Sequence, residues 1–152
     1  MVRWEDIPKA LQGNMKTRSA PFEHTPWVDA PKLTDARVAM ITTAAIHRVD
    51  DRPFTGHEGD YRVIPGDVEY GELSMTHSSV NFDRSAYQQD VNVCFPLDHV
   101  RTLVASGEIG SVAGWHYSFM GSTAAQRMEP AAKEVSQLLL GDNVNLVLLI
   151  PV

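Results

Sequence analysis

Residues 115–150 read "WHYSFMGSTAAQRMEPAAKEVSQLLLGDNVNLVLLI", and this stretch decides the fold. It opens with a strand pattern over residues 115–121 and closes with the apolar run of residues 144–150. Apolar residues at helical spacing lie between them, with Pro130 in the predicted first turn and Gly141 at the predicted end. Strand, helix and strand in this order predict a right-handed crossover between parallel strands.

Two further strands and one helix are predicted upstream. "ARVAMITT" (36–43) has the unbroken apolar pattern of a buried parallel strand, and "ELSMTHSS" (72–79) indicates a second strand. "LDHVRTLVASGEIG" predicts a helix with Asp98 as its N-cap and Gly107 as its stop. The alternation predicts an α/β protein: a three-layer sandwich around a mostly parallel sheet, flavodoxin-like or Rossmann-like.

The first 35 residues predict an N-terminal arm, which leaves residues 36–152 as the α/β domain. "WEDIPKALQG" favours a short amphipathic helix that ends at Gly13, and the three prolines between Pro21 and Pro31 favour an extended chain. Residues 44–67 are polar and rich in glycine and proline. They predict a long loop, which in a compact domain is usually functional.

Composition narrows the class of protein. Hydrophobic residues make up 43% and charged residues 21% of the 152 residues, as in an ordinary globular domain. The net charge of −6 argues against nucleic acid and anionic membranes as partners. There is no transmembrane-length apolar run and no signal-peptide pattern at the N-terminus. With one cysteine, the chain is expected in the cytoplasm.

Polar side chains collect where the predicted strands end. In parallel sheets, ligands bind beyond the carboxyl ends of the strands. Strand ends therefore nominate six candidate site residues: Thr42, Thr43, His47, His77, Ser118 and Met120.

Histidine offers acid–base chemistry near neutral pH. Asp83 follows His77 closely enough to orient its imidazole as a general base, although a strand-end histidine bonded to a backbone carbonyl is the alternative. His47 lies in the predicted loop, where a solvated histidine is the ordinary case. His116 lies within a strand, where packing or an internal hydrogen bond competes with a direct role.

Other chemistries stay open. His47, His77 and His116, together with Asp60 or Asp83, would suit zinc, but their spacing matches no compact metal motif. Arg62 either binds a substrate carboxylate through two hydrogen bonds or pairs with Asp60 to hold the long loop.

Two further features carry weak signals. Cys94 lies between apolar residues, which favours a buried and inert thiol, so a thiol-based enzyme would take its nucleophile from elsewhere. "GST" (121–123) precedes a helix and offers backbone amides to an anion. It lacks the repeated glycines of a phosphate loop.

Four blocks of sequence resemble one known family. They are "MITTAAIHR", "GDYRVIPGD", "THSSVNFDRSAYQQDVNVCFPLDHVRTLVASGEIGSVA" and "HYSFMGST". Together they resemble the selenoprotein B family of glycine, sarcosine, betaine and D-proline reductases, from about Arg37 to Val152. The blocks are long, ordered and co-occurring, which makes the resemblance specific.

The resemblance implies a reductase subunit that acts on a small carboxylated amine. In the family, the proline that matches Pro151 leads into a Cys-x-x-Cys motif or its selenocysteine form. We therefore expect a selenocysteine directly after Val152, and a chain that is truncated, processed or naturally short. The resemblance also implies a thioredoxin-like dithiol donor, a pyruvoyl group held only by a partner subunit, and no cofactor bound in this chain itself. Exposed apolar surface on the last strand predicts an oligomer.

On this reading the candidate residues line a pocket that faces the missing nucleophile. His77, His47 and Asp83 are expected to be catalytic, with His77 chosen for proton transfer. Substrate binding is expected from Thr42, Thr43, Arg62, His116, Ser118 and Met120. Two alternatives stay open: a metal-dependent hydrolase or lyase that uses the three histidines, and a non-catalytic partner subunit.

Overall fold

The computed structural model describes residues 3–18, 28–80 and 82–152, which form a mixed α/β structure with a mostly parallel sheet. The strands of this part are β1 (Arg37–Thr42), β2 (Ile46–Arg48), β3 (Tyr61–Pro65), β4 (Leu73–Met75), β5 (Ser111–Val112), β6 (Trp115–Phe119) and β7 (Leu146–Ile150). Its α-helices are α1 (Lys9–Arg18), α2 (Ser85–Gln89), α3 (Leu97–Ala105) and α4 (Ala125–Gly141).

The strand β1 is the centre of the main sheet. The strand β7 is parallel to β1 and pairs with one of its edges from Val38 to Thr42. On the other edge, β5 pairs with the first residues of β1 and β6 with the last, and both are parallel to it. The strand β3 closes the far side of β6 and is antiparallel to it. The unit β6–α4–β7 is therefore the predicted crossover, and it places its two strands on opposite sides of β1.

Alternation along the strands gives the sheet two different faces. One face carries Met40, Ile64 and His116 and packs against Phe95 and the start of α3. The other face carries Ala39, Tyr117 and Phe119 and packs against Val135 and Leu139 of α4. The predicted α/β class with a mostly parallel sheet is confirmed. The finer likeness to a three-layer flavodoxin-like or Rossmann-like sandwich stays a prediction.

Two strands lie where the sequence predicted a loop. Residues 44–67 contain β2 and β3, and β2 pairs with β4 in a separate antiparallel sheet of two strands. The second predicted strand, 72–79, is therefore shorter than expected and lies outside the main sheet. Short strands in polar sequence lack the apolar run that identifies a buried strand, which explains the error.

Three predicted helix boundaries were wrong. The helix α1 continues through Gly13, because one glycine weakens a helix without ending it. The N-cap of α3 is Pro96 rather than Asp98, which lies in the first turn. The helix α4 begins at Ala125, so Pro130 is inside it; residues 125–129 are good helix formers and extend it backwards.

The arm is tested only in part. Its prolines at 21 and 26 lie outside the described residues, so the extended segment and the boundary at residue 35 stay predictions. Among the described residues, no helix has the length and apolar character that crossing a membrane requires.

The strand β7 is exposed along much of its length. Leu149 is 67% exposed and Leu148 is 40% exposed. An apolar cavity of about 300 Å³ lies beside Leu149, between the sheet and α4. The predicted exposure of apolar surface on the last strand is confirmed, whereas the oligomer stays a prediction.

Candidate functional site

The carboxyl ends of β1, β6 and β7 meet in one hydrogen-bonded junction around Thr43. Thr43 donates its amide to the Ile150 carbonyl at 3.1 Å, and its own carbonyl accepts the Gly121 amide at 2.9 Å. The Thr43 hydroxyl accepts the Val152 amide at 2.8 Å. Because parallel strands end at the same edge, three segments distant in sequence converge there, as the strand-end argument predicted for Thr43.

His77 lies next to this junction, in the loop after β4. Its Nδ1 accepts the Ser79 amide at 3.2 Å, so the neutral ring carries its proton on Nε2. The Nε2 atom is buried and has no hydrogen-bond partner among the described residues. A Cβ built on Gly121 would lie 3.1 Å from it, which places the free N–H beside the backbone of Gly121.

The surroundings of His77 keep it neutral near pH 7. Burial lowers the pKa of its imidazole, and the positive charge of Arg84 lowers it further. The Arg84 guanidinium donates to the His77 carbonyl, and the Phe82 ring lies 4.9 Å from the imidazole. A neutral imidazole with a free Nε2–H can donate a hydrogen bond to a ligand.

An open cavity of about 520 Å³ adjoins His77. Its wall includes Ser78 and Ser122, whose hydroxyl oxygens lie 2.8 Å apart. The ring of His57 is hydrogen-bonded through Nδ1 to the Ser122 carbonyl at 3.0 Å. The lining residues are His57, His77, Ser78, Ser79, Val80, Phe82, Gly121, Ser122 and Val152.

Met120 lies beneath this wall rather than in it. It is buried with Ala45 and Phe54, and its sulfur accepts the Ser78 hydroxyl at 3.4 Å. Met120 therefore positions Ser78, which does line the cavity.

His116, Ser118 and Thr42 lie on the sheet face that packs against Phe95 and the start of α3. His116 Nδ1 accepts the Met40 amide at 3.1 Å, and burial lowers the pKa of its ring to about 4. Thr42 accepts the Ala44 amide at 3.2 Å through its hydroxyl oxygen. The Ser118 hydroxyl is buried and has no partner among the described residues. All three are apart from the open cavity, and the internal hydrogen bond expected for His116 is present.

His47 is buried in β2, so the expected solvated loop position was wrong. Its Nδ1–H donates to the Arg48 carbonyl at 2.7 Å, which leaves a lone pair on Nε2. That nitrogen is buried and unpartnered in the described part of the chain. It does not line the cavity beside His77.

Arg62 is 4% exposed, and its guanidinium is committed to the loop that precedes β3. It donates to the Arg52 carbonyl at 2.6 Å and to the Glu58 carboxylate at 2.8 Å, and it stacks over the Phe54 ring at 4.2 Å. Of the two roles that the sequence left open for Arg62, holding the loop is the one with contacts, including an ion pair with Asp60.

The Asp83 carboxylate accepts the Ser85 amide at 2.9 Å at the start of α2. This bond, together with one from the Ser85 side chain, lowers the pKa of the Asp83 carboxyl. Since His77 Nδ1 is occupied by Ser79, the hypothesised Asp83–His77 hydrogen bond is not formed among the described residues.

The described residues form no site for the alternative metal chemistry or for a thiol nucleophile. Across residues 3–18, 28–80 and 82–152, no group of three or more His, Cys, Asp or Glu side chains could hold a metal ion. Cys94 is buried, and burial raises the pKa of its thiol to about 11. The buried cysteine expected from sequence is confirmed.

Sequence reasoning missed His57 and Phe82 in the cavity wall. The only available signal for His57 was its place in the glycine-rich loop of residues 44–67, which was expected to be functional as a whole. The glycine at 121 was noticed for its backbone amide, although its close approach to His77 was not foreseen.

Comparison with known proteins identifies the family of this chain. The family described as glycine/sarcosine/betaine reductase selenoprotein B matches residues 23–151. The chain belongs to this family of reductase subunits. The D-proline reductase subunit gamma of Acetoanaerobium sticklandii is 32% identical over 127 residues, which are 81% of this chain and 52% of that protein. The chain thus spans about half the length of this curated relative. No solved structure matches it significantly.

Proposed function

We propose that this chain forms the substrate-binding half of a reductase subunit that cleaves the C–N bond beside the carboxylate of a small amine. The observation that carries the proposal is His77, whose free Nε2–H lies beside an open cavity at the carboxyl edge of the sheet. Membership of the family supports the reaction class. D-proline, glycine, sarcosine and betaine are the candidate substrates, and the cytoplasm is the proposed location.

The nucleophile is proposed to come from outside residues 1–152. Cys94 is the one cysteine of the chain, and it is buried with a raised pKa. A selenol suits the reaction better than a thiol because it ionises below neutral pH and leaves readily. The selenocysteine predicted after Val152 is such a group. The hydrogen-bonded junction at Thr43 would place it beside the cavity.

The proposed reaction has two steps. The selenolate or thiolate attacks the carbon next to the carboxylate, so that a C–Se or C–S bond forms and the C–N bond breaks. The departing amine takes a proton from solvent, and the Nε2–H of the neutral His77 imidazole is proposed to donate a hydrogen bond to the amine nitrogen as it leaves. A second thiol then attacks the selenium or sulfur, the carbon takes a proton, and a selenylsulfide or disulfide forms. An external dithiol reduces that bond and restores the enzyme.

Two partners complete the proposal. One is a thioredoxin-like dithiol, which supplies the two electrons. The other is a subunit that carries a pyruvoyl group and activates the amine. The D-proline reductase relative is itself called a subunit, which supports an assembly of several chains.

The test uses the protein purified from its source together with its co-purifying subunits. D-proline, glycine, sarcosine and betaine are supplied separately with dithiothreitol, and mass spectrometry follows the product that has gained two hydrogen atoms. We expect turnover of one substrate, and loss of it in His77→Asn, which keeps an acceptor for Ser79. His99→Asn, at an exposed position of α3, is the matched control. Absence of reduction with every substrate, in a complex shown to contain all subunits, would refute the proposal.

A further inference from the structure

His57 has a fixed ring in the wall of the cavity beside His77, although it lies in a loop and is exposed. Its Nδ1 lies 3.0 Å from the Ser122 carbonyl oxygen. Because a carbonyl only accepts hydrogen bonds, Nδ1 carries the proton of the neutral ring and Nε2 keeps a lone pair. The contact therefore selects one of the two tautomers that a solvated histidine would exchange.

Buried groups hold the backbone on the carboxyl side of His57. The Thr123 hydroxyl, which is buried, donates to the Glu58 carbonyl at 2.7 Å. The Glu58 carboxylate accepts the Arg62 guanidinium at 2.8 Å and the Thr55 amide at 2.9 Å. The loop that carries His57 is thus tied to the strand β3 through the buried Arg62, so the position of the ring is determined by the fold.

The two imidazoles of this cavity present opposite groups. His77 presents an N–H, since its Nδ1 accepts the Ser79 amide, whereas the neutral His57 presents a lone pair. The described residues that line the cavity include no aspartate, glutamate, lysine or arginine. The neutral His77 is a poor proton source, because losing the Nε2–H would turn its ring into an anion. His57 is exposed, and a histidine ring gains and loses a proton near neutral pH.

We propose that His57 is the general acid of this cavity and passes a solvent proton to the departing amine; this rests on the reductase function proposed above. The ring first takes a proton from solvent on Nε2. As the C–N bond breaks, its electron pair stays on nitrogen and takes that proton. The His57 ring returns to its neutral form, with Nδ1–H still bonded to the Ser122 carbonyl. The lone pair that the neutral amine already had accepts the hydrogen bond from His77 Nε2–H.

The tautomers are measured first, on the purified chain and without turnover. Long-range ¹H–¹⁵N NMR at pH 8 distinguishes the two nitrogens of each imidazole, and His57→Asn and His77→Asn assign the signals. We expect His57 to carry its proton on Nδ1 and His77 to carry it on Nε2. The Nε2–H tautomer of His57, or the mixture that free histidine shows, would overturn the proposal.

The kinetic test uses the complete complex and the substrate that it reduces. His57→Asn keeps an amide donor for the Ser122 carbonyl and removes Nε2. We expect its kcat to fall about 10²–10⁴-fold, with KM changed little, because the loss concerns proton transfer rather than binding. His99→Asn, at an exposed position of α3, should match the wild type. A kcat of His57→Asn within a few-fold of the wild type would overturn the proposal.

Chemical rescue separates proton transfer from a purely structural role. His57→Ala leaves room in an exposed wall of the cavity, so added imidazole should restore part of its kcat in a saturable way. Loss of kcat that imidazole does not restore would assign the ring to holding the loop instead, and the general-acid role would fall.

The two proposals fail separately. If the wild-type complex reduces no substrate, the reductase assignment falls, and the role of His57 in that reaction falls with it. If the wild-type complex reduces a substrate and His57→Asn keeps its kcat, the reductase assignment stands and the proton reaches the amine by another route.

Discussion

Acidification should destabilise the protein through His116 well before its carboxylates are protonated. The Met40 amide donates to Nδ1 of this buried ring, so a proton on Nδ1 would break that bond and place a charge in the core. The pKa is lowered from the ordinary 6.5 to about 4, with burial as the main cause and the charge of Arg101 next. The unfolded chain therefore binds the proton more readily, and stability falls as the pH falls from 6.5 toward 4.

The magnitude follows from the two pKa values. Each pKa unit corresponds to about 1.4 kcal/mol, so the loss due to His116 reaches about 2 kcal/mol at pH 5 and about 3 kcal/mol at pH 4. A marginally stable domain has roughly 5–15 kcal/mol in total, so this loss is readily measured.

Urea unfolding of the wild type and of His116→Asn, from pH 7 to pH 4, is the assay. The asparagine keeps an acceptor for the Met40 amide but does not titrate. We expect the variant to be less stable at pH 7, because it leaves a small cavity, and to lose about 2 kcal/mol less than the wild type on going to pH 5. His99→Asn should follow the wild type. Parallel stability curves for the wild type and His116→Asn would show that the ring is not held neutral by burial.

Three further predictions concern other parts of the molecule. Pro130→Ala should stabilise the protein by about 2 kcal/mol in thermal unfolding, because the exposed proline inside α4 has no amide to donate to the preceding turn; a lower melting temperature would contradict this. Cys94 should react with a thiol reagent at pH 8 about a hundredfold more slowly than in the urea-unfolded chain, since its pKa is about 11; equal rates would contradict its burial. Glu58→Gln should cost about 1–2 kcal/mol at pH 7, because the hydrogen bond from the Thr55 hydroxyl and the contact with Arg62 lower the pKa of the Glu58 carboxyl from 4.5 to about 2. This difference should disappear as the pH falls from 4.5 toward 2, and a constant difference would assign it to packing.

Sequence patterns predicted the elements that bury continuous apolar surface. The strands β1 and β7 and the helix α3 each have one dominant periodicity, and β6 with α4 completes the crossover. The strand β3 was missed because its two inward positions are Arg62 and Ile64. A buried arginine makes the strand read as polar, and only the contacts with Glu58 and Phe54 explain why it faces inward.

The candidate cavity lies at the edge of the sheet where the sequence predicted a site, although several of the nominated residues do not line it. The rule that ligands bind at the carboxyl edge accounts for Thr43, which follows β1, whereas His77 follows β4 of the separate sheet and comes near Thr43 through the loop after that strand. It also nominated Thr42 and Ser118. The alternation of side chains along the strands places these two on the sheet face that packs against Phe95 and the start of α3. Side-chain direction at a strand end depends on register, and a sequence with several adjacent polar residues does not determine it.

An unpartnered buried nitrogen is a weak indication of function when it stands alone. His47, His77 and His116 each have one, and the three rings hold their remaining nitrogen in a hydrogen bond to the backbone. What separates His77 is its place in the wall of an open cavity at the carboxyl edge of the sheet. The rings of His47 and His116 are buried and do not line this cavity. Among these three rings, the catalytic hypothesis is therefore restricted to His77. The acid sensitivity of His116 measures how far water is excluded from the sheet face that packs against Phe95.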